Sequence, residues 1–221
     1  MLALGFLISN HIDASLNDSY QKYNTATKID NNAELFEYGL RTNIGNTFIY
    51  GDLVAVDPIS IKDIRGAYAY IYKREEHYVR HSRVVTTRDS KGRTHTHIEY
   101  YWTWDAYRHW DWHCKKIAFL GHEFDYDTIE LPYSKYFDTL YESHRVRFVY
   151  YVCDTKYIGT LYTNIANHTI NNSTFYNAIN IDTTIKRLES KSELIFFWII
   201  WILIIGGLVF GFYYLENRWL E

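Results

Sequence analysis

A chain of 221 residues is long enough for one folded domain with additional segments. Its formal net charge of −3 excludes the basic field that general nucleic-acid binding requires, so no nucleic-acid partner is expected. The 22 Tyr, 12 Phe and 7 Trp, set against two Pro and one Met, tilt the composition towards strands and away from Pro-rich linkers.

The chain opens on MLALGFLIS, an apolar run about half the length of a membrane span. It lacks the basic flank and cleavage site of a signal peptide. Residues 1–10 are therefore read as a short membrane-associated stub. Residues 11–46 follow as a helical lead-in, because Ile12, Leu16, Tyr20 and Tyr23 repeat at helical spacing. Within it, Asn32 is the expected N-cap of a helix that Gly39 ends.

From residue 47 the period changes to two, and residues 47–163 are read as one antiparallel β-domain of roughly eight strands. TFIYGDLVAV is a strand, and AYAYIYKR alternates tyrosines with small or aliphatic residues. EEHYVRHSRVVTTR and RTHTHIEYYWTW flank DSKGR, which reads as a hairpin turn. WDWHCKKIAFL, HEFDYDTIEL, HRVRFVYYVC and KYIGTLYT complete the set. Residues 164–193 are read as a loop, rich in Asn, Thr and Ser up to residue 180, followed by a polar helix from about Asp182.

The strongest signal is the uncharged run LIFFWIIWILIIGGLVFGFYYL at residues 194–215. Roughly 20 such residues in a helix cross a hydrocarbon core of about 30 Å. Aromatics mark both ends, with Trp219 beyond, so the protein is expected to be integral to a membrane. Lys186, Arg187 and Lys191 precede the run and Arg218 follows it, which favours a cytoplasmic β-domain. If residues 1–9 also cross, both termini share one side, so orientation is left open. Gly207 and Gly211 form a GxxxG pair through which helices of two copies can approach.

The densest chemistry lies in THTHIEYYWTWDAYRHWDWHC, residues 94–114. Taking Lys91-Gly92 as a two-residue turn pairs Arg88 with His95 and His81 with Trp102. Paired residues share a face. One face then carries His77, Val79, His81 and Val85 with Ile98, Tyr100, Trp102 and Trp104, and is read as core. The other carries Arg80, Ser82, Val84 and Thr86 with His95, His97 and Glu99, and faces water. A slip of one residue would bring all four histidines to one face. His109, Asp111 and His113 also alternate, so His95, His97, His109 and His113 are the candidate ligands for zinc. The plainer reading is a strand with Trp inward and His and Asp outward, without a cofactor. No catalytic set converges on any acid or serine. Cys114 and Cys153 have no metal-site spacing; they are read as buried free thiols, with one disulfide as the alternative.

The stretch GDLVAVDPISIKDIRGAYAYIYKREEHYVRH, followed by a charged hairpin and a Trp-rich return, resembles the GIDE or "beside-a-membrane" domain. That domain occurs in mitochondrial membrane ubiquitin ligases and bacterial relatives, and LUMA-type membrane proteins share its general plan. The matching positions are Gly51, Pro58, Ser60, Gly66, Tyr68, Tyr70, Glu76 and Trp102, within residues 35–135. The resemblance implies a β-rich domain lying against a membrane between hydrophobic segments. The ligases carry a RING finger rich in Cys and His, which this sequence does not contain, so ligase activity is not implied.

These readings converge on a mainly β, membrane-anchored module that binds a protein or senses the membrane surface without catalysis. Trp110, Trp112, Arg145 and Arg147 are its contact candidates, and homo-oligomers through the membrane helix are a further expectation. The competing readings are a metal-dependent membrane enzyme and a structural subunit of a membrane assembly. Abundant Asn, Ile, Tyr and Lys hint at a bacterial or phage source.

Overall fold

The computed structural model describes residues 2–190 and 192–219, with the backbone alone for residues 2 and 215–219. Lys191 and the side chains of Leu215, Arg218 and Trp219 therefore lie outside the described residues. The order is α1 (Leu2–Asn24), β1 (Thr27–Asp30), α2 (Ala33–Thr42), β2 (Gly45–Ala55), β3 (Tyr70–Arg88) and β4 (Thr94–His113). Then come β5 (Lys116–Phe119), β6 (His122–Asp125), a 3-10 turn (Tyr126–Thr128), β7 (Ile129–Glu130), β8 (Lys135–Ser143) and β9 (Val146–Cys153). β10 (Lys156–Ala166), β11 (Thr169–Asn177), α3 (Ile181–Leu188) and α4 (Ser192–Trp219) complete it. The protein is mainly β and mostly antiparallel, with a helix at its N-terminal end and an apolar helix at its C-terminal end.

Two sheets are built. The first runs β6-β5-β2-β10-β11-β7, with β1 added parallel to β2. Along β2, Ile49, Leu53 and Ala55 point to one face, where Phe36 and Leu40 of α2 and Phe119 of β5 cover them. Phe48 points to the other face and meets Tyr23 of α1, Tyr162 and the buried Ile181 and Ile185 of α3. Helices thus cover both faces of this sheet. Each fully buried Phe or Ile contributes about 1.5–3 kcal/mol, so this double-sided packing anchors the fold.

Local signals explain the helix ends. Asn32 caps α2 by accepting from the Leu35 amide at 2.9 Å, as its position implies. The helix does not stop at Gly39, which is buried within it against Ile44. It continues to Thr42 and ends on Asn43, whose left-handed backbone Asn tolerates better than most residues. α1 is continuous from the apolar start, and β1 and the start of β2 replace the end of the expected helical lead-in.

Residues 164–180 are not a loop. β10 and β11 form a hairpin around Asn167 and His168, both at positive φ, the conformation a two-residue hairpin turn demands. Their polar composition, and a bulge that shifts the register between Tyr162 and Asn164, mask the inward-facing Ile165, Ile170 and Phe175. The strand β8 is likewise absent from the residue pattern; the described residues hold eleven strands, nine of them, β2 to β10, in the span expected to hold roughly eight.

α1 and α4 run antiparallel. Tyr20 donates to the Ser190 carbonyl at 3.1 Å, and Phe6 meets Trp198 edge-on at 5.2 Å. A Cβ on Gly5 would overlap the Trp201 indole, so glycine there permits the approach. The apolar start of the chain therefore lies beside the first turns of α4. Beyond this contact α4 is long and apolar enough to cross a membrane, and none of its apolar stretch is buried in the fold.

Candidate functional site

The second sheet runs β4-β3-β9-β8. β9 pairs with β3 only from Tyr70 to His77, and one further bond, from the Tyr78 amide to the Arg145 carbonyl at 2.9 Å, ends the ladder. β3 and β4 continue together to the turn at residues 89–93. Ten residues of β3 past Tyr78 thus project about 33 Å as a two-stranded arm. Among the described residues, no third strand pairs with it there.

The turn fixes the arm's register. The Asp89 carboxylate accepts from the Lys91 and Arg93 amides at 2.9 and 2.8 Å, and Gly92 sits at φ 79°. The Asp89 amide donates to the Arg93 carbonyl at 2.9 Å. This is a three-residue loop, not the two-residue turn expected, because a left-handed glycine closes a longer hairpin. Thr87 therefore pairs with His95, and His81 with Tyr101. The expected faces are exchanged on one strand: His77, His81, His95 and His97 share a face, and Val84, Ile98, Tyr100 and Trp102 share the other.

The four histidines nevertheless stay apart along the strands. His97 pairs with Val85, four residues or about 13 Å from His81. His81 is held by Asp105 at 2.6 Å and His77 by Glu75 at 2.6 Å, while His95 lies 3.4 Å from Asp89. The candidate ligand set is dispersed further. A bulge sets Glu75 opposite Arg108 and Glu76 opposite Ala106, and places His109 and His113 on the face opposite to His95 and His97. His95 and His113 are also separated by about 60 Å of strand. His109 stacks on Tyr72 at 5.6 Å, and His113 on Tyr126 at 4.1 Å. Among the described residues, no three His, Cys, Asp or Glu side chains gather as a metal would require.

Two carboxylates at the bulge pin the arm's root. Glu75 holds His77 on one side and Arg108 at 2.8 Å on the other. The His77 hydrogen bond, helped by Arg108, keeps its carboxyl below the ordinary glutamate value. Its contribution to stability is therefore present above that ordinary value, which the unfolded chain keeps, and is lost as pH falls from there through the lowered folded-state value. On the opposite face, Glu76 receives Arg74 at 2.5 Å and Arg147 at 2.6 Å. Both carboxylates are buried. Sequence reasoning missed this root; the Glu-Glu step inside a strand is the local signal that could have marked it.

Above Glu76 the face becomes an aromatic and cationic ladder. Arg147 lies over Trp104 at 4.3 Å, Arg145 over Trp102 at 5.4 Å and Arg80 over Tyr100 at 4.8 Å. Tyr78 stacks between Trp102 and Trp104 at 5.3 and 5.1 Å. Tyr100 and Trp102, read as core, are 59% and 43% exposed, because β8 and β9 end below them. Of the contact candidates, Arg147 is committed to Glu76. Trp110 packs against Phe148 under Lys73, and Trp112 is 37% exposed beside Ile71. Arg145 alone combines exposure with a free charge. Sequence reasoning missed Arg80, Val84 and Ile98 as an outward row, since it assigned them to different faces.

Among the described residues, no Ser, Thr or Cys side chain is hydrogen-bonded to a His, Asp or Glu side chain. A cleft of about 360 Å³ is lined by Tyr70, Tyr126, Pro132, Tyr133 and Cys153 among others. Cys114 and Cys153 are free and buried. Burial, aided by Asp57, pushes the Cys114 thiol up to about 11, and burial raises Cys153 as well. A raised folded-state value means the neutral thiol is favoured in the fold. That contribution is intact below the ordinary value of 9.0 and is lost as pH rises through about 11. Both thiols are therefore expected to resist a maleimide at pH 8 and to react fully on denaturation. The denaturation midpoint should fall between pH 8.5 and 11, and fall less in Cys114→Ala. Rapid native labelling of Cys114 would contradict this burial.

No family model, curated protein or solved structure matches the chain.

Proposed function

We propose that this protein is a membrane-anchored, non-catalytic β-module that binds another protein through the β3–β4 arm. The observation that carries the reading is the arm itself, a long ribbon with no core of its own. An isolated two-stranded ribbon is marginal in water. This one displays Val84, Ile98, Tyr100 and Trp102 in one row, 68%, 60%, 59% and 43% exposed. Exposed apolar rows flanked by polar groups mark interaction surfaces, and Trp, Tyr and Arg dominate binding hot spots. The unburied α4 serves as the anchor in this reading, with α1 packed beside it. The order of glycine, Pro-x-Ser and Trp-rich hairpin that resembles GIDE domains accords with a β-domain held at a membrane.

The test is site-specific photocrosslinking in native membranes from Val84 and Ile98 on the arm, with Ile158, exposed on β10, as the control. A discrete protein adduct from both arm sites and not from the control is the expected result. Lipid adducts alone, or none, would overturn it. A second reading, a structural subunit of a membrane assembly, is favoured by the open space in front of Gly207 and Gly211. It would instead yield adducts between copies of this chain.

A further inference from the structure

We infer that the arm's partner is an extended polypeptide carrying acidic side chains, which adds as a strand to the free edge of β3. This deepens the protein-binding reading above and rests on it. The Tyr78 amide points towards β9, where it donates to Arg145. Lateral direction alternates along a strand, so the backbone groups of Arg80, Ser82, Val84 and Thr86 point the same way. β9 has ended by then, and these N–H and C=O groups face an open lane that continues the line of β9. The odd residues are satisfied by β4. A row of unpaired donors and acceptors is a template for another strand.

Charge selects the strand. β3 carries no carboxylate between Glu76 and Arg88, while Arg80, Arg83 and Arg88 lie on it. Arg83 is paired with Glu99. Arg80 and, at the mouth of the lane, Arg145 stack on rings and meet no carboxylate among the described residues. An incoming strand with acidic residues on that face would satisfy both. Pairing β3 with its own copy supplies no carboxylate and sets cation against cation. Anionic lipid would answer the charge but leave the backbone groups unpaired. The helices also pack at the Phe48 end of β2, whereas the chain reaches β3 from the Ala55 end.

The test uses the full chain in detergent micelles and a fluorescent ten-residue peptide of alternating Glu and Val, read by anisotropy. Saturable binding is expected. It should weaken at least tenfold with a Lys-Val peptide, and equally when alternate amides of the Glu-Val peptide are N-methylated. Arg80→Glu should weaken it at least tenfold. So should Ser82→Pro, which deletes one outward N–H, whereas Ser82→Ala should not. The N-methylated peptide tests the edge on the unaltered protein, whatever the proline does to folding. Equal binding of the N-methylated peptide, or unchanged binding by Arg80→Glu, would overturn strand addition. So would displacement of the peptide by vesicles of phosphatidylserine and phosphatidylcholine that bind through Arg80. If peptide binding fails while arm photocrosslinks to a protein persist, this inference falls alone. If both fail, the proposed function falls with it.

Discussion

Replacing Glu76 with Ala is expected to lower the unfolding free energy by about 3 kcal/mol. Glu76 is 4% exposed and is the shared partner of two guanidiniums. Arg147 reaches it through Nη2 at 2.6 Å and Nε at 2.7 Å, and Arg74 through Nη2 at 2.5 Å. Removing the carboxylate leaves both cations in a half-dry site. Their side chains are 25% and 33% exposed, so water recovers part of the loss, which places the effect at the lower end for a broken buried pair. Glu76→Gln keeps an acceptor and should cost less, about 1–2 kcal/mol. Adding Arg147→Met to Glu76→Ala should recover part of the loss, because one uncompensated charge is then gone. The readout is the urea midpoint of the detergent-solubilised protein at unchanged slope. The arm should respond too, since Arg147 also braces Trp104, and Trp104 braces Tyr78. A change below about 1 kcal/mol would mean that the aromatic stack, not the ion pairs, holds the root.

The root and the arm divide what residue patterns can and cannot disclose. Strand alternation discloses β2, β3, β9 and β10, where period two survives in the sequence. The cap at Asn32 is legible because it needs only one side chain and one nearby amide. Register is different. It turned on whether Asp89 or Ser90 pairs with Arg93, and a side-chain acceptor with a left-handed Gly92 decided that. One residue of difference exchanged the partners of every histidine in the arm. The bulge opposite Glu75 is likewise silent in sequence, yet it separates His97 from His109 by face. The tyrosines and tryptophans alternated as a core would. They stand exposed because their covering strands stop at Val146, a tertiary fact that no local period records. The hairpin at Asn167 and His168 was hidden for the converse reason: its turn uses no glycine, and its strands are polar on one side.

A Leu203→Arg substitution is expected to shift the insertion equilibrium of α4 by about 3 kcal/mol, roughly a hundredfold, if α4 spans a bilayer. Leu203 lies near the middle of the apolar run and is 69% exposed. A charge at mid-span reaches neither interface, whereas Ile195→Arg, one turn from the start, can extend its side chain to the headgroups and should cost far less. The depth dependence is the discriminating feature. An apolar helix covered by copies of itself in water would be disrupted by arginine at either place, and the chain would then dissociate without any membrane. A helix in lipid should lose resistance to alkaline extraction with Leu203→Arg and keep it with Ile195→Arg. The contact of Gly5 and Phe6 with Trp201 and Trp198 adds a second expectation. These contacts hold the early turns of α4, so α1 is not expected to retain the chain once the middle of the span is charged. Extraction of Leu203→Arg should therefore be nearly complete. Equal retention of both variants would instead show that α4 is not what anchors the chain.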